Sequence, residues 1–149
     1  MNELTVSVSK VIAAPIAKVF DAWLDPVMLA KFMLPMPGMA APQVVNKAQV
    51  GGEFSIVMQV GENQVPHTGQ YLEMDRPSKL SFTWESPESA DDSVVTIHFS
   101  ELNDGKTNVE LTHVRFIDEQ RRSNHESGWG NILSQLGDVC TGISESISV

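Results

Sequence analysis

The sequence predicts an α+β domain in which an antiparallel sheet wraps around one long C-terminal helix. Three observations predict this fold. Most of the chain consists of short segments in which apolar and polar residues alternate, which is typical of strands with one buried face. Turns of hairpin length separate these segments, so neighbouring strands should pair antiparallel. The last long segment instead repeats its apolar residues at helical spacing, which gives a stripe that can cover the sheet.

The length and composition are typical of one soluble domain spanning residues 1–149. The hydrophobic fraction is 42%, and no apolar run approaches the roughly 18 residues that a membrane-spanning helix needs. The polar N-terminus shows no signal-peptide pattern, so we expect a cytoplasmic protein without membrane insertion. The formal net charge of -9 gives an acidic surface that repels phosphate groups, so we expect no nucleic-acid partner.

The N-terminal segment predicts one strand and two short helices. Apolar residues alternate with polar ones from Leu4 to Ile12, which indicates a half-buried strand. Pro15 suits the first turn of a helix, and the apolar residues from Ile16 to Trp23 then follow helical spacing. Asp25-Pro26 ends this helix and begins a second one that runs through Phe32.

A methionine-rich loop follows, from Met33 to Pro42. Three prolines and one glycine punctuate it, so regular structure is not expected there. Methionine side chains are flexible and polarizable, which suits contact with varied apolar molecules. Two interpretations stay open: a lid over a ligand, with Met36 as a contact residue, and a loop that only covers one end of the core.

About six further segments are predicted as strands, each with one apolar face. They are Gln43–Gln49, Glu53–Val60, Val65–Asp75, Lys79–Ser86, Ser93–Leu102 and Thr107–Phe116. Gly51-Gly52 is typical of a turn, and Asn103-Asp104-Gly105 is a strong hairpin signal. The order of elements is therefore one strand, two short helices, the remaining strands and the long helix.

The long helix is predicted from Asp118 to Cys140. Its apolar stripe consists of residues at helical spacing, namely Trp129, Leu133, Leu136 and Cys140. Asp118 is the expected N-cap, because its carboxylate accepts hydrogen bonds from the first turn. Cys140 is the one cysteine of the chain, so no internal disulfide is expected.

Four groups of residues occur along the chain in the order of a known family. They are Ala14-Pro15 with Val19 to Trp23 and Asp25-Pro26; Gly51 to Phe54; Gly69 to Pro77 followed by Leu80 to Glu85; and Thr112-His113 with Gly128-Trp129 and Leu133. Together they resemble the START/Bet v 1-like (SRPBCC) superfamily and, within it, the group of activator-of-Hsp90-ATPase homologues. The resemblance implies a helix-grip fold: a curved seven-stranded antiparallel sheet around the C-terminal helix, with two short helices after the first strand. It also implies a cavity between sheet and helix that takes apolar or amphipathic molecules.

The candidate ligand-binding residues are inward-facing aromatic, aliphatic and histidine side chains, with two positions near the methionine-rich loop. They are Trp23, Phe32, Met36, Phe54, Ile56, Met58, Tyr71, Phe82, Trp84, His113, His125, Trp129 and Leu133. A small-molecule site is mostly apolar, with a few polar groups that fix orientation. The alternative is that these side chains fill the core completely.

Catalytic and metal-binding signatures are absent from the sequence. No Gly-x-Ser-x-Gly, phosphate-binding or dinucleotide motif occurs, no two histidines lie four residues apart, and there is no Cys-x-x-Cys. We therefore expect no catalytic residue, metal or cofactor. His113 shares the inward face of its strand, which fits either a hydrogen-bonded core histidine or an acid–base group.

Three functions stay open at this point. The leading hypothesis is a non-catalytic protein that binds a small apolar or amphipathic molecule. The second follows from the resemblance, because the superfamily includes polyketide aromatase/cyclases; here His113 and Tyr71 would act, with Glu73 on the same strand face as Tyr71. The third is interaction with a protein partner, as in Hsp90 activation or a stress response. Homodimerisation is compatible with all three.

Overall fold

The structure is a computed structural model. It describes residues 5–34, 42–60, 62–85, 93–114, 116 and 118–141. Of Val60, only the backbone is described. Met36 and most of the methionine-rich loop lie outside the described residues, as does the acidic segment of residues 86–92.

Seven strands and three helices make up the described part of the chain. In chain order they are β1 (Thr5–Ile12), α1 (Ile16–Ala22), α2 (Pro26–Phe32), β2 (Gln43–Asn46), β3 (Glu53–Val60), β4 (Asn63–Asp75), β5 (Lys79–Thr83), β6 (Val94–Glu101), β7 (Thr107–Val114) and α3 (Glu119–Thr141). The predicted α+β helix-grip fold is confirmed. None of the described helices is long and apolar enough to cross a membrane.

The strands form one antiparallel sheet in the order β1-β7-β6-β5-β4-β3-β2. From β2 to β7 each strand pairs with its neighbour in the sequence, as hairpin-length connections require. Strand β1 is the exception, because it pairs with β7, with Val6 opposite His113. The sheet is therefore open, with β1 and β2 at its two edges.

Two aspartates begin helices as predicted. The Asp25 carboxylate accepts a hydrogen bond from the backbone N–H of Val27 at 2.9 Å, at the start of α2. The Asp118 carboxylate accepts one from the backbone N–H of Arg121 at 2.8 Å, at the start of α3. Each cap satisfies an N–H group that has no partner within the helix.

Strand β2 is shorter than the sequence predicts. It ends at Asn46, whereas the alternating pattern continues to Gln49. The chain turns instead: the N–H of Gln49 bonds to the carbonyl of Lys47, and the N–H of Gly52 bonds to that of Gln49. Gly51 completes the turn with a φ of 83°, a left-handed value that glycine adopts at low cost.

The core lies between the sheet and the helices. The apolar stripe of α3 is buried as predicted, with Trp129, Leu133, Leu136 and Cys140 each at most 2% exposed, and Ile132 joins it at 3%. Facing it are the inward residues of β3 and β5 to β7: Phe54, Ile56, Met58, Leu80, Phe82, Val95, Ile97, Phe99, Val109, Leu111 and His113. The stripe of α3 and the inward face of the sheet are both largely apolar. Burying them against each other removes both from water, which stabilises the packing of the helix on the sheet.

Strand β4 breaks the simple alternation. Its pairing with β5 shifts register between Tyr71 and Glu73, where Leu72 is the extra residue of a bulge. Tyr71 points inward and is 3% exposed, whereas Glu73 points outward and forms a 3.1 Å ion pair with Lys79. The prediction that Tyr71 and Glu73 share one face is therefore wrong, because one inserted residue turns the following side chains over.

Candidate functional site

A cavity of about 150 Å³ lies between the sheet and α3. Four buried apolar side chains form its walls: Met58 of β3, Trp84 just after β5, and Trp129 and Ile132 of α3. The indole rings of Trp84 and Trp129 are 4.9 Å apart between centroids and tilted by 58°. The walls are therefore largely aromatic.

Three polar residues complete the lining, and they lie on its solvent side. His67 of β4 and His125 of α3 are half-buried, and Asn124 of α3 is exposed. Gly128, between these helical residues and the apolar wall, offers no side chain. The cavity thus has an apolar inner part and a polar outer part, an arrangement common to small-molecule sites.

Helical geometry explains how α3 contributes to both parts. Asn124, Gly128 and Ile132 follow one another at intervals of four residues, and His125 and Trp129 form a parallel row. Residues four apart on a helix lie above one another on one face. The helix therefore supplies its polar side chains one or two turns before its apolar ones.

His67 is held neutral by its surroundings. Its ring lies 5.0 Å from that of Trp84, and its Nδ1 atom is buried with no hydrogen-bond partner among the described residues. Burial lowers the pKa of His67 to about 4, and positive charge on His125 would lower it further. At neutral pH the imidazole therefore offers the cavity a polar but uncharged side chain.

His113 is sealed beneath the cavity, with an exposed fraction of 0%. The indole N–H of Trp129 donates to its Nδ1 at 2.9 Å, and its Nε2 lies in hydrogen-bond contact with the hydroxyl of Ser93. An indole nitrogen can only donate, so Nδ1 carries no proton and Nε2–H donates to Ser93. Burial lowers the pKa of His113 to about 3, so the ring is a neutral core histidine.

Tyr71 is also committed to structure. Its hydroxyl donates to Oδ1 of Asn46 at 2.6 Å, and the Asn46 amide donates to the carbonyl of Leu24 at 2.6 Å. Burial raises the pKa of Tyr71 to about 12. With His113 sealed and Glu73 on the outer face, the three groups of the cyclase-like hypothesis do not meet on one wall.

The end of the core between the sheet and α2 is filled. A gap of only about 10 Å³ remains there. Six of the predicted binding residues surround it, namely Trp23, Phe54, Ile56, Tyr71, Phe82 and Trp84, the last of which also borders the cavity of about 150 Å³. Their rings pack edge to face, as between Phe54 and Phe82 at 5.3 Å. This end has room for about one water molecule and no larger ligand.

The structure thus divides the predicted binding residues into two groups and leaves some in neither. Met58, Trp84, His125 and Trp129 line the larger cavity. Phe32, His113 and Leu133 are buried in the core and line neither space, and Met36 lies outside the described residues. Sequence reasoning left out Asn124, Gly128 and Ile132, although their four-residue spacing on the face of Trp129 was a usable signal.

Metal ligation finds no support in the geometry. Within the described part of the chain, no three histidine, cysteine, aspartate or glutamate side chains lie close enough together to hold an ion.

Comparison with known protein families finds one model that matches most of the chain. A family model described as Activator of Hsp90 ATPase homolog 1-like protein matches residues 13–140. Among curated proteins, no sequence matches this chain.

Solved structures from several bacteria resemble the chain over nearly its full length. A protein from Chromobacterium violaceum has 25% sequence identity and a TM-score of 0.82, with 92% of this chain and 96% of that chain covered. A protein from Cytophaga hutchinsonii has 25% identity and a TM-score of 0.74, with 100% of each chain covered. An AHSA1-like protein from Aeromonas hydrophila, at 22% identity and a TM-score of 0.80, covers 94% of both chains and shares the fold.

Proposed function

Because the chain belongs to the Activator of Hsp90 ATPase homolog 1-like family, we propose that it binds a small apolar or amphipathic molecule between its sheet and α3. Domains of this fold commonly bind hydrophobic ligands. The observation that carries the proposal is the cavity of about 150 Å³ with its buried walls and polar outer part. The core between the sheet and α2 is tightly packed, so the opening is local.

The size of the cavity supports binding. An engineered apolar cavity of about 150 Å³ in another protein stays dry and takes up benzene. The walls here are of the same apolar kind, formed by Met58, Trp84, Trp129 and Ile132. A ligand that fills such a cavity buries its own apolar surface. It also makes the van der Waals contacts that the wall residues lack when the cavity is empty.

The geometry does not favour the acid–base roles considered for His113 and Tyr71. Both ring nitrogens of His113 are engaged, by Trp129 and by Ser93, and the ring is inaccessible to solvent. The Tyr71 hydroxyl is bonded to Asn46, away from the cavity of about 150 Å³. A general acid or base must reach the reacting atom, and neither of these groups faces the larger space.

The proposal is tested by filling the cavity. Met58→Trp places a larger side chain in the wall, so we expect it to abolish uptake of small apolar compounds. Met74→Trp is the matched control, because Met74 packs at the edge of the core and does not line the cavity. Native mass spectrometry after incubation with a mixture of such compounds measures the bound fraction. Equal uptake by both variants, or none by the unchanged protein, would overturn the proposal.

Homodimerisation and interaction with a chaperone, which the sequence leaves open, need separate tests. Light scattering of the purified chain measures the first. A pull-down, together with an assay of chaperone ATPase, measures the second.

A further inference from the structure

The lining of the cavity specifies the ligand more closely, provided that the proposed function holds. We propose that the ligand is an uncharged molecule with a single aromatic ring, whose one hydrogen-bonding group lies against the outer polar residues. Three properties of the lining carry this inference: its volume, its aromatic walls and its lack of charge.

Volume sets the upper limit. The cavity of about 150 Å³ is half the size at which drug-sized pockets begin, which is about 300 Å³. It equals the cavity that accepts a single benzene ring in another protein. A fused ring system or a long acyl chain would therefore extend beyond the cavity.

The walls favour a ring over a branched aliphatic group. The faces and edges of Trp84 and Trp129 border the space, and their mutual tilt of 58° offers both kinds of ring contact. Aromatic pairs in offset or edge-to-face arrangements gain energy beyond the area they bury. The Met58 thioether adds a polarizable group that contacts ring edges favourably.

Charge selects against ions. Among the described residues that line the cavity there is no lysine, arginine, aspartate or glutamate. His67 is neutral at neutral pH, because burial disfavours its charged form. A cation that enters therefore loses its hydration without gaining an acidic partner, and an anion finds no lysine or arginine. For an anion, the net charge of -9 on the chain adds long-range repulsion.

The outer polar residues fix the orientation of the ring. Asn124 carries an amide donor and an acceptor oxygen, which also accepts a hydrogen bond from the Gln120 side chain at 3.1 Å, and it lies four residues before Gly128 on the same face of α3. A phenolic hydroxyl or a small amide can both donate to and accept from such a side chain. The ring then lies inward and its polar group outward.

The test uses four probes that differ in charge and shape. Three are single para-methyl rings, namely p-cresol (neutral), p-toluate (an anion) and p-methylbenzylamine (a cation), and the fourth is the acyl chain laurate. The chain has three tryptophans. In a titration followed by NMR, the indole N–H signal of Trp129 reports on the cavity, that of Trp23 reports on the filled end, and that of Trp84 reports on the boundary between them.

We expect p-cresol to shift the Trp84 and Trp129 signals with a Kd at least tenfold below that of either charged ring at neutral pH, and laurate not to displace it. Equal or tighter binding of p-toluate, of p-methylbenzylamine or of laurate at these two residues overturns this inference and leaves the proposed function standing. No shift at Trp84 or Trp129 with any probe overturns both.

A charge variant separates the electrostatic argument from shape. Asn124 is exposed, so Asn124→Lys brings a cation to the outer part of the cavity without disturbing the core, and Asn124→Gln is its uncharged control. We expect Asn124→Lys to lower the Kd of p-toluate about tenfold relative to Asn124→Gln. An unaltered Kd for p-toluate would show that charge does not exclude it.

Discussion

One neutral imidazole ring, that of His113, joins three parts of the chain. The ring belongs to β7, accepts a hydrogen bond from Trp129 of α3 and donates one to Ser93 just before β6. Because both nitrogens are satisfied, a polar group is buried without the large cost of an unmade hydrogen bond. His113 therefore fixes how the helix packs on the sheet, next to the wall of the cavity.

Removing the donor of this network should destabilise the fold. Trp129→Phe leaves Nδ1 of His113 buried without a partner, so we expect an extra loss of about 1–3 kcal/mol in the free energy of unfolding. Trp23→Phe is the control: Trp23 is equally buried, at 2% exposed, but its indole nitrogen has no partner among the described residues. Urea unfolding of both variants measures the difference. Equal losses would contradict the role assigned to the Trp129–His113 bond.

The pKa of His67 predicts a pH dependence of stability. The pKa is lowered from 6.5 to about 4 on folding, so the unfolded chain binds more protons between these values. The contribution of His67 is complete above pH 6.5 and is lost as the pH falls towards 4. We expect a slope of up to about 1.4 kcal/mol for each pH unit from this group in that window.

A pair of variants isolates this contribution. His67→Gln removes the titrating group, so its stability should fall less steeply between pH 6.5 and pH 5. His98→Gln is the control, because His98 faces solvent on β6. Thermal unfolding across this range gives the slopes. A His67→Gln slope as steep as that of the unchanged protein would contradict the burial of a neutral imidazole.

At the scale of elements, alternation and spacing predicted most of the sheet and all of α3. The predicted inward face of β7 is confirmed, and on β6 His98 is exposed between the buried residues Ile97 and Phe99. The bulge at Leu72 could not be predicted, because it depends on how β4 pairs with β5 and leaves no mark in the local pattern. Likewise, Trp129 and His113 are both apparent as inward residues, but only the assembled fold places the indole N–H at Nδ1.

Replacing two glycines by alanine should change the free energy of unfolding in opposite directions. A Cβ atom on Gly69 of β4 would lie 2.0 Å from the Thr83 carbonyl oxygen and 2.5 Å from the Phe54 ring. We therefore expect Gly69→Ala to lower the free energy of unfolding by at least about 2 kcal/mol. Nothing lies within 4 Å of such an atom on Gly130 of α3, so Gly130→Ala should stabilise by roughly 0.5–1 kcal/mol through helix propensity. Chemical denaturation measures both, and a tolerated Gly69→Ala would contradict the close approach of Phe54 and Thr83.

At the scale of the whole molecule, the fold follows from the sequence more readily than the cavity does. Binary patterns determine which faces are buried, and they were sufficient for the architecture. Whether two buried faces fill the space between them depends on ring orientations across several strands. One end retains about 150 Å³ and the other about 10 Å³, although both are lined by similar aromatic residues. Composition alone carries no signal for that difference.

The pairing of β1 with β7 also has a consequence for the order in which the molecule assembles. Strand β1 pairs with β7, with Thr5 opposite Val114, so the pair can form only after β2 to β7 have been synthesised. During synthesis on the ribosome, β1 and the inner face of the growing meander stay uncovered until β7 and then α3 emerge. A contact between such distant segments closes a long loop, and topologies of this kind fold slowly. The nascent chain is therefore exposed to aggregation for most of its synthesis, and its folding is completed by its C-terminal part.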